Sequence, residues 1–180
     1  MTTYVALLRG VNVGGRNALP MADLRRIAEG CGHRDARTYI QSGNLVFTSD
    51  EADAAAIARG LHDAILAEAG VDSPVALRTR GDLERVAAAN PFLAAAADVA
   101  HLHVTFLLEP PAPAALGGLD LAAYRPEQAA IAGSELYLHL PAGMGRSRLA
   151  TDLARRRDLA GTTRNWRTVT TLLAMAAEGG

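Results

Sequence analysis

In the first part of the chain, apolar positions change their spacing from segment to segment, and each spacing predicts an element. Thr3–Val11 is almost continuously apolar, which predicts a strand buried on at least one face. After Pro20, apolar residues recur at helical spacing until Gly30 and Gly32 end the helix. The later elements predicted in this half are strands at Arg37–Gln41 and Leu45–Thr48, a helix around Ile57–Ile65 ending at Gly70, and a strand at Pro74–Arg80.

The second half repeats this pattern with weaker signals. His101–Glu109 predicts a strand, after which Pro110, Pro111 and Pro113 break the regular structure. The remaining predicted elements are a short helix near Ala114–Leu119, a hairpin of Gln128–Ile131 and Glu135–Leu140 around Gly133-Ser134, a helix at Arg146–Arg157 and a last helix at Asn165–Ala177.

The element order defines the expected fold class. It is β-α-β-β-α-β followed by a β-α-β-β-α unit and a C-terminal helix, an order typical of an α+β fold with duplicated ferredoxin-like halves. We therefore predict one compact domain over residues 1–180, with subdomains at 1–80 and 101–180 joined by a helical connector at 81–100. The faint similarity of Val5-Ala6-Leu7-Leu8 to Val104-Thr105-Phe106-Leu107 agrees with a duplication.

Composition narrows the chemistry that this chain can perform. The single cysteine, Cys31, excludes an internal disulfide and a cysteine-rich zinc site. A net charge of -1 argues against a general nucleic-acid or membrane-surface role. Without a basic-then-apolar leader or a long apolar run, we expect a soluble, cytoplasmic protein. All 18 basic residues are arginine, so an anion site must use guanidinium groups or backbone N–H groups.

Two glycine-bearing loops in the first half are candidates for a ligand site. The loop Arg9–Asn17 leaves a strand and enters a helix, and such loops can cradle anions, although a tight turn capped by Asn17 explains it equally well. Tyr39–Asn44 is typical of a hairpin turn. In a ferredoxin-like sheet these loops meet at one edge, which favours a site. The candidate ligand-binding residues here are Arg9, Asn12, Gly14, Gly15, Arg16, Gln41, Ser42, Gly43 and Asn44.

Two segments of the second half are further candidates. Arg146 and Arg148 would lie in the first turn of a helix, where cations oppose the helix dipole, and this indicates an anionic partner or simple solvent exposure. Near the last helix, Thr162 or Thr163 is the expected N-cap. Arg164 and Asn165 would then be free to bind a ligand, and the alternative is that this segment is only a structural cap. The candidate ligand-binding residues of this half are Arg146, Ser147, Arg164 and Asn165.

Metal and cofactor sites are not predicted. His101 and His103 share one face of a strand, but no third ligand with suitable spacing accompanies them.

Taken together, the motifs resemble a known family. Arg9–Gly15, Tyr39–Asn44, Gly145-Arg146-Ser147 and Thr162–Trp166, in this order and spacing, resemble the bacterial domain-of-unknown-function family numbered 1697. The resemblance spans essentially the whole chain and implies an α+β fold with two ferredoxin-like subdomains. It implies no known activity, cofactor or partner. The family commonly has lysine where this chain has Arg16 and Arg148, so no lysine-specific role is expected at those positions.

Three functions remain open from the sequence. The first is binding of a small anionic or polar ligand in a cleft lined by the glycine, asparagine and arginine candidates. The second is a metal-independent transferase or hydrolase at the same cleft, with Ser42, Ser147, Tyr39 or His139 as reacting groups. The third is single-stranded RNA binding on an open sheet face that carries Arg37, Tyr39 and Gln41, although aromatic residues are only 4% of the chain.

Overall fold

A computed structural model describes residues 1–178 and has a mixed α+β architecture, as expected. Within these residues it contains two four-stranded antiparallel sheets and five α-helices. The strands are β1 (Thr2–Leu8), β2 (Arg34–Tyr39), β3 (Asn44–Ser49), β4 (Val75–Thr79), β5 (Leu102–Leu107), β6 (Gln128–Ala132), β7 (Glu135–His139) and β8 (Gly161–Asn165). The helices are α1 (Met21–Gly30), α2 (Ala54–Ala69), α3 (Arg80–Ala89), α4 (Arg148–Ala154) and α5 (Trp166–Glu178).

The chain divides into two compact units. The first, here called unit 1, contains Met1–Glu84 and the chain from Thr171 onward, and unit 2 contains Arg85–Thr170. Within the described residues, no helix combines the length and apolar character needed to cross a membrane.

The sheet of unit 1 has the strand order β2-β3-β1-β4. One face of β1, carrying Tyr4, Ala6 and Leu8, packs on buried side chains of α1 and α2 such as Leu24 and Leu61. Burial of each large aliphatic side chain contributes about 1.5–3 kcal/mol, so this layer supplies most of the local stabilisation. The helices lie on one face of the sheet and leave the β1–α1 loop and the β2–β3 turn together at one end of the strands.

Local signals set the helix boundaries of unit 1 close to their predicted positions. Pro20 immediately precedes α1, where its fixed φ suits the helix start. The side chain of Asp53 accepts hydrogen bonds from the backbone N–H groups of Ala55 and Ala56, which caps α2.

The sheet of unit 2 has the order β6-β7-β5-β8. Its helix-facing core joins leucines of β7, such as Leu136 and Leu138, with Leu149 and Leu153 of α4. Tyr137 points to the other face, where its hydroxyl donates to the carbonyl of Val86 at 3.1 Å, and burial raises its pKa to about 12.

Three sequence predictions for this unit differ from the structure. Residues 113–119 form successive turns in place of the short helix predicted near Ala114–Leu119, because the Gly117-Gly118 pair does not sustain a helix. The helix predicted at Arg146–Arg157 is present but shorter, at Arg148–Ala154. A 3₁₀ turn and the Ser147 cap precede it, and a second 3₁₀ turn follows at Arg157–Leu159.

The third difference concerns the last part of unit 2. The sequence predicts that Thr162 or Thr163 caps a helix beginning at Asn165, but Gly161–Asn165 is β8, paired with β5 along its whole length. The β-branched Thr162 and Thr163 fit a pleated sheet better than a helix start. The final helix therefore begins at Trp166.

Candidate functional site

The β1–α1 loop, residues 9–20, contains a small exposed hairpin. The N–H of Asn12 donates to the carbonyl of Asn17 at 3.0 Å, and that of Arg16 donates to Val13 at 3.0 Å. Between them, Gly14 and Gly15 have φ of 57° and 74°, as the two central residues of a type I′ turn require. These two predicted ligand residues are thus needed for the shape of the loop.

Asn12 fixes this loop to the β2–β3 turn, residues 40–43. Its amide nitrogen donates to the carbonyl of Leu19 at 2.9 Å and to that of Gln41 at 2.7 Å, while its oxygen accepts from the N–H of Leu19 at 2.8 Å. The predicted meeting of the two loops is therefore confirmed. Both amide hydrogens of Asn12 are already donated within the protein.

The β2–β3 turn is packed closely beneath the loop. A Cβ on Gly43 would lie 2.5 Å from Cγ2 of Val11 and 2.8 Å from Cβ of Leu8. Asn44 is fully buried, and its amide nitrogen donates to the carbonyl of Tyr39 at 3.0 Å and to Oγ of Ser42 at 3.1 Å. Gly43, Ser42 and Asn44 therefore hold the turn in place.

The remaining candidates of unit 1 are Arg9, Arg16 and Gln41, which are exposed. Over residues 1–178, the guanidinium groups of Arg9 and Arg16 make no hydrogen bond or ion pair. The backbone of Arg9 is fixed, because its N–H donates to Oγ of Ser73 and its carbonyl accepts from the same hydroxyl. This end of unit 1 thus presents two exposed cations on a loop whose backbone is hydrogen-bonded.

In unit 2, Arg146 and Ser147 occupy different environments. Ser147 is buried, and its Oγ accepts from the N–H of Ala150 at 2.8 Å, so this hydroxyl caps α4. Arg146 ends a 3₁₀ turn at Met144–Arg146, and its side chain is exposed. The two adjacent candidates therefore divide into one structural side chain and one available cation.

Arg146 borders a cavity of about 220 Å³ that lies wholly within unit 2, here called the arginine pocket. Three short segments form its walls, from the chain before β6, the turn after β7 and the start of α4. The lining residues are Ala123, Tyr124, Arg125, Pro126, Glu127, Pro141, Ala142, Arg146 and Arg148.

One aromatic ring and one carboxylate, those of Tyr124 and Asp152, position Arg148 at this pocket. Its guanidinium carbon lies 5.5 Å from the centre of the Tyr124 ring, at cation–π distance. The Tyr124 hydroxyl in turn donates to Oδ2 of Asp152 at 2.8 Å, and this hydrogen bond raises the tyrosine pKa. The ring beneath Arg148 is thus itself anchored to α4.

The one carboxylate in the pocket wall is committed elsewhere. Oε2 of Glu127 accepts from the N–H of Leu149 at 3.0 Å, at the start of α4. Across the described chain, Arg125, Arg146 and Arg148 form no ion pair with a carboxylate. Three arginines therefore line one small cavity whose lining contains a single acidic residue.

The last two candidates lie in or next to β8 and not on an open helix start. Arg164 is buried, and one of its nitrogens donates to Oγ1 of Thr162 at 2.6 Å and to the carbonyl of Thr163 at 3.0 Å. Burial lowers the pKa of this guanidinium to about 10. Because it is buried among strand residues, Arg164 is a structural element of the sheet.

Asn165, rather than the expected threonines, caps α5. Its Oδ1 accepts from the N–H of Arg167 at 2.9 Å, and its amide nitrogen donates to the carbonyl of Ala100 at 3.0 Å. This side chain joins the start of α5 to the residues before β5.

Sequence reasoning missed Tyr124, Arg125 and Glu127 as site residues. A weak signal was available in the run Tyr124-Arg125-Pro126, where the proline indicates a loop between regular elements. The β6–β7 hairpin, which the sequence predicts, brings this run near Arg146, but nothing in the run itself marks it as part of a site. Over the described chain, no cluster of three or more His, Cys, Asp or Glu side chains could hold a metal.

Comparison with known proteins supports the resemblance inferred from the motifs. The model of a family described as "Protein of unknown function (DUF1697)" matches residues 1–137. This part includes Arg9–Gly15 and Tyr39–Asn44 and stops before Arg146. None of the curated proteins matches the chain.

A solved structure extends the comparison over the whole fold. The chain is similar to conserved bacterial protein SP0830 from Streptococcus pneumoniae, with a TM-score of 0.74 and 24% identity, over 97% of this chain and 98% of that one. At this identity the similarity shows a common fold.

Proposed function

This chain belongs to the DUF1697 family of proteins of unknown function, and we propose that it binds a small anionic ligand in the arginine pocket of unit 2. The observation that carries the proposal is the grouping of Arg125, Arg146 and Arg148 around one cavity without a carboxylate paired to any of them in the described chain. Guanidinium groups bind carboxylates and phosphates through two parallel hydrogen bonds, so such a cluster suits an anion.

The glycine and asparagine candidates of unit 1 have a structural role in this proposal and do not bind the ligand. Asn12 and Asn44 donate both amide hydrogens to neighbouring groups, so we assign them to holding the β1–α1 loop on the β2–β3 turn. Arg146 is the member of the originally predicted set that contacts the ligand. Arg125 and Arg148 join it as the other donors.

Calorimetric titration with inorganic phosphate at low ionic strength tests this function. We expect binding to the wild-type protein and a loss of about tenfold or more in Arg125→Ala and in Arg146→Ala, since hydrogen bonds to charged groups are worth about 1.5–3 kcal/mol. Arg157→Ala is the matched control, because Arg157 is an exposed arginine of the 3₁₀ turn after α4 and does not line the pocket. Equal losses in all three variants, or absence of binding by phosphate, sulfate and malonate alike, would contradict the proposal.

The alternative functions gain no specific support from the contacts. An RNA-binding face needs Arg37 free on the sheet, but its guanidinium donates to the carbonyl of Met175 at 2.7 Å and to Glu178 at 3.1 Å. Among the proposed reacting groups, the Ser147 hydroxyl is buried as a helix cap, and His139 lies 3.2 Å from Oε1 of Gln128. We therefore carry ligand binding forward alone.

We also propose that the two sheets are duplicated ferredoxin-like units. The strand orders of the two sheets correspond. Equivalent hydrogen bonds also extend the two sheets: the N–H of Leu8 donates to the carbonyl of Gly43 at 2.9 Å, and that of Leu107 donates to the carbonyl of Ser134 at 3.1 Å. Turns between β5 and β6 stand where α1 lies in unit 1. Superposing the sheets strand for strand in an experimental structure tests the duplication, and strands of opposite direction at equivalent places would refute it.

A further inference from the structure

We infer that the ligand of the arginine pocket is a phosphomonoester with a compact apolar body. This inference rests on the proposed anion binding and adds the chemical class of the anion. It comes from three properties of the pocket. These are the net charge of the lining residues, the planar hydrogen-bond geometry of the arginines, and the volume of the cavity together with its apolar walls.

The charge of the lining favours a ligand with two negative charges. Three arginines and one glutamate line the cavity, which leaves a net charge of two positive. A carboxylate or a sulfate monoester supplies one negative charge, whereas a phosphomonoester supplies nearly two at neutral pH. The dianion neutralises the pocket, and a monoanion leaves one guanidinium without a counter-charge.

The shape of the donors favours a phosphoryl group over two separate carboxylates. Each guanidinium presents a planar fork of N–H donors, and the phosphoryl group offers three terminal oxygens on one atom. Arg148 is held over the ring of Tyr124, and Tyr124 is held by Asp152, so one of the forks is ordered before the ligand arrives. Such ordering lowers the entropy cost of binding.

The size and walls of the pocket limit the rest of the ligand. A cavity of about 220 Å³ is smaller than the roughly 300–1,000 Å³ typical of sites for drug-sized molecules. Pro126, Pro141 and Ala142 supply apolar wall beside the arginines. A short or single-ring body therefore fills this volume, and a larger ligand would extend beyond it into solvent.

The test compares phenyl phosphate, phenyl sulfate, inorganic phosphate and malonate by calorimetric titration at about pH 5 and about pH 7.5. We expect phenyl phosphate to bind tightest, and its affinity to fall about tenfold at the lower pH, because the second ionisation of a phosphomonoester lies near pH 6. Phenyl sulfate keeps one charge throughout and should bind weakly with little pH dependence.

Phenyl sulfate also controls for titration of the protein. The charged and titratable side chains at the pocket are Arg125, Arg146, Arg148, Glu127 and Tyr124, with Asp152 behind the tyrosine. A protonation change at one of these groups would alter the binding of both phenyl esters. A fall for phenyl phosphate alone therefore supports ionisation of the ligand as the cause.

Variants separate the fork geometry from charge alone. Arg146→Lys keeps the positive charge but loses the planar fork, so we expect phenyl phosphate affinity between that of wild type and that of Arg146→Ala. Malonate or phenyl sulfate binding as tightly as phenyl phosphate would overturn the ligand class while leaving anion binding intact. Failure of every anion to bind would overturn both proposals.

Discussion

At the residue scale, several polar side chains that suggest ligand contacts instead fix the backbone. Asn12 and Asn44 bind neighbouring carbonyl groups, Ser147 caps α4, and Asn165 caps α5. Short polar side chains compete well for nearby backbone groups, which explains why such residues at turns so often have a structural role. Arginine side chains reach farther from the backbone, and it is these that border the pocket.

Gly43 provides the sharpest test of the packing between the β1–α1 loop and the β2–β3 turn. We expect Gly43→Ala to lower the free energy of unfolding by about 2–4 kcal/mol, because an added Cβ combines positive-φ strain with a clash against Val11 and Leu8. Urea unfolding followed by circular dichroism measures the loss.

Gly15→Ala is the matched control for this clash. Gly15 also has a positive φ, 74°, but a Cβ there would meet nothing within 4 Å. Its cost should therefore be strain alone, about 1–2 kcal/mol. Equal losses in the two variants would show that the close approach at Gly43 is unimportant.

At the element scale, the sequence predicts best where local signals and packing agree. In unit 1, α1 and α2 were found from apolar spacing, and the same apolar residues fill the core. In unit 2, the five-residue β8 has neither a long apolar run nor clear alternation, so only its pairing with β5 reveals it. The chain at 113–119 has helix-forming alanines, but proline and glycine within it favour turns.

Some residues of the candidate site are indicated by local sequence signals, and others are identified only by the tertiary structure. The sequence points to Arg146 and Arg148 because two cations near a predicted helix start would oppose the helix dipole, although α4 begins only at Arg148. Arg125 was not recognised, because it lies in a loop separated from Arg146 by the whole β6–β7 hairpin. The sequence predicts that hairpin, but no motif marks the loop before β6, so nothing in the loop itself singles out Arg125 as a neighbour of Arg146.

At the scale of the whole molecule, stability should depend on pH through His62. In α2, its Nε2 lies 2.9 Å from Oδ1 of Asp72 and its Nδ1 lies 3.0 Å from Oδ1 of Asp63. These hydrogen bonds, first that to Asp72, raise the pKa of His62 in the folded protein above 6.5. The charged imidazole therefore stabilises the fold fully below pH 6.5, and this contribution is lost as pH rises through the higher folded-state pKa.

The variant His62→Gln tests this sign. Its stability deficit relative to wild type should be largest near about pH 5.5 and smaller near about pH 8, and it should stay below about 1 kcal/mol because the pairs face solvent. Chemical unfolding at each pH provides the measurement, and Asp72→Asn should flatten the same dependence. A deficit that grows with rising pH would contradict the assigned direction.

The direct passage from β8 into α5 has a spectroscopic consequence. Trp166 is the only tryptophan of the chain, it is the first residue of α5, and it is 6% exposed. Indole emission excited at long wavelength therefore originates at a single buried position. A red shift of this emission, caused by exposure of the indole to water, reports on the β8–α5 junction alone. Emission and backbone circular dichroism together therefore distinguish local unfolding at the junction from cooperative unfolding of the protein.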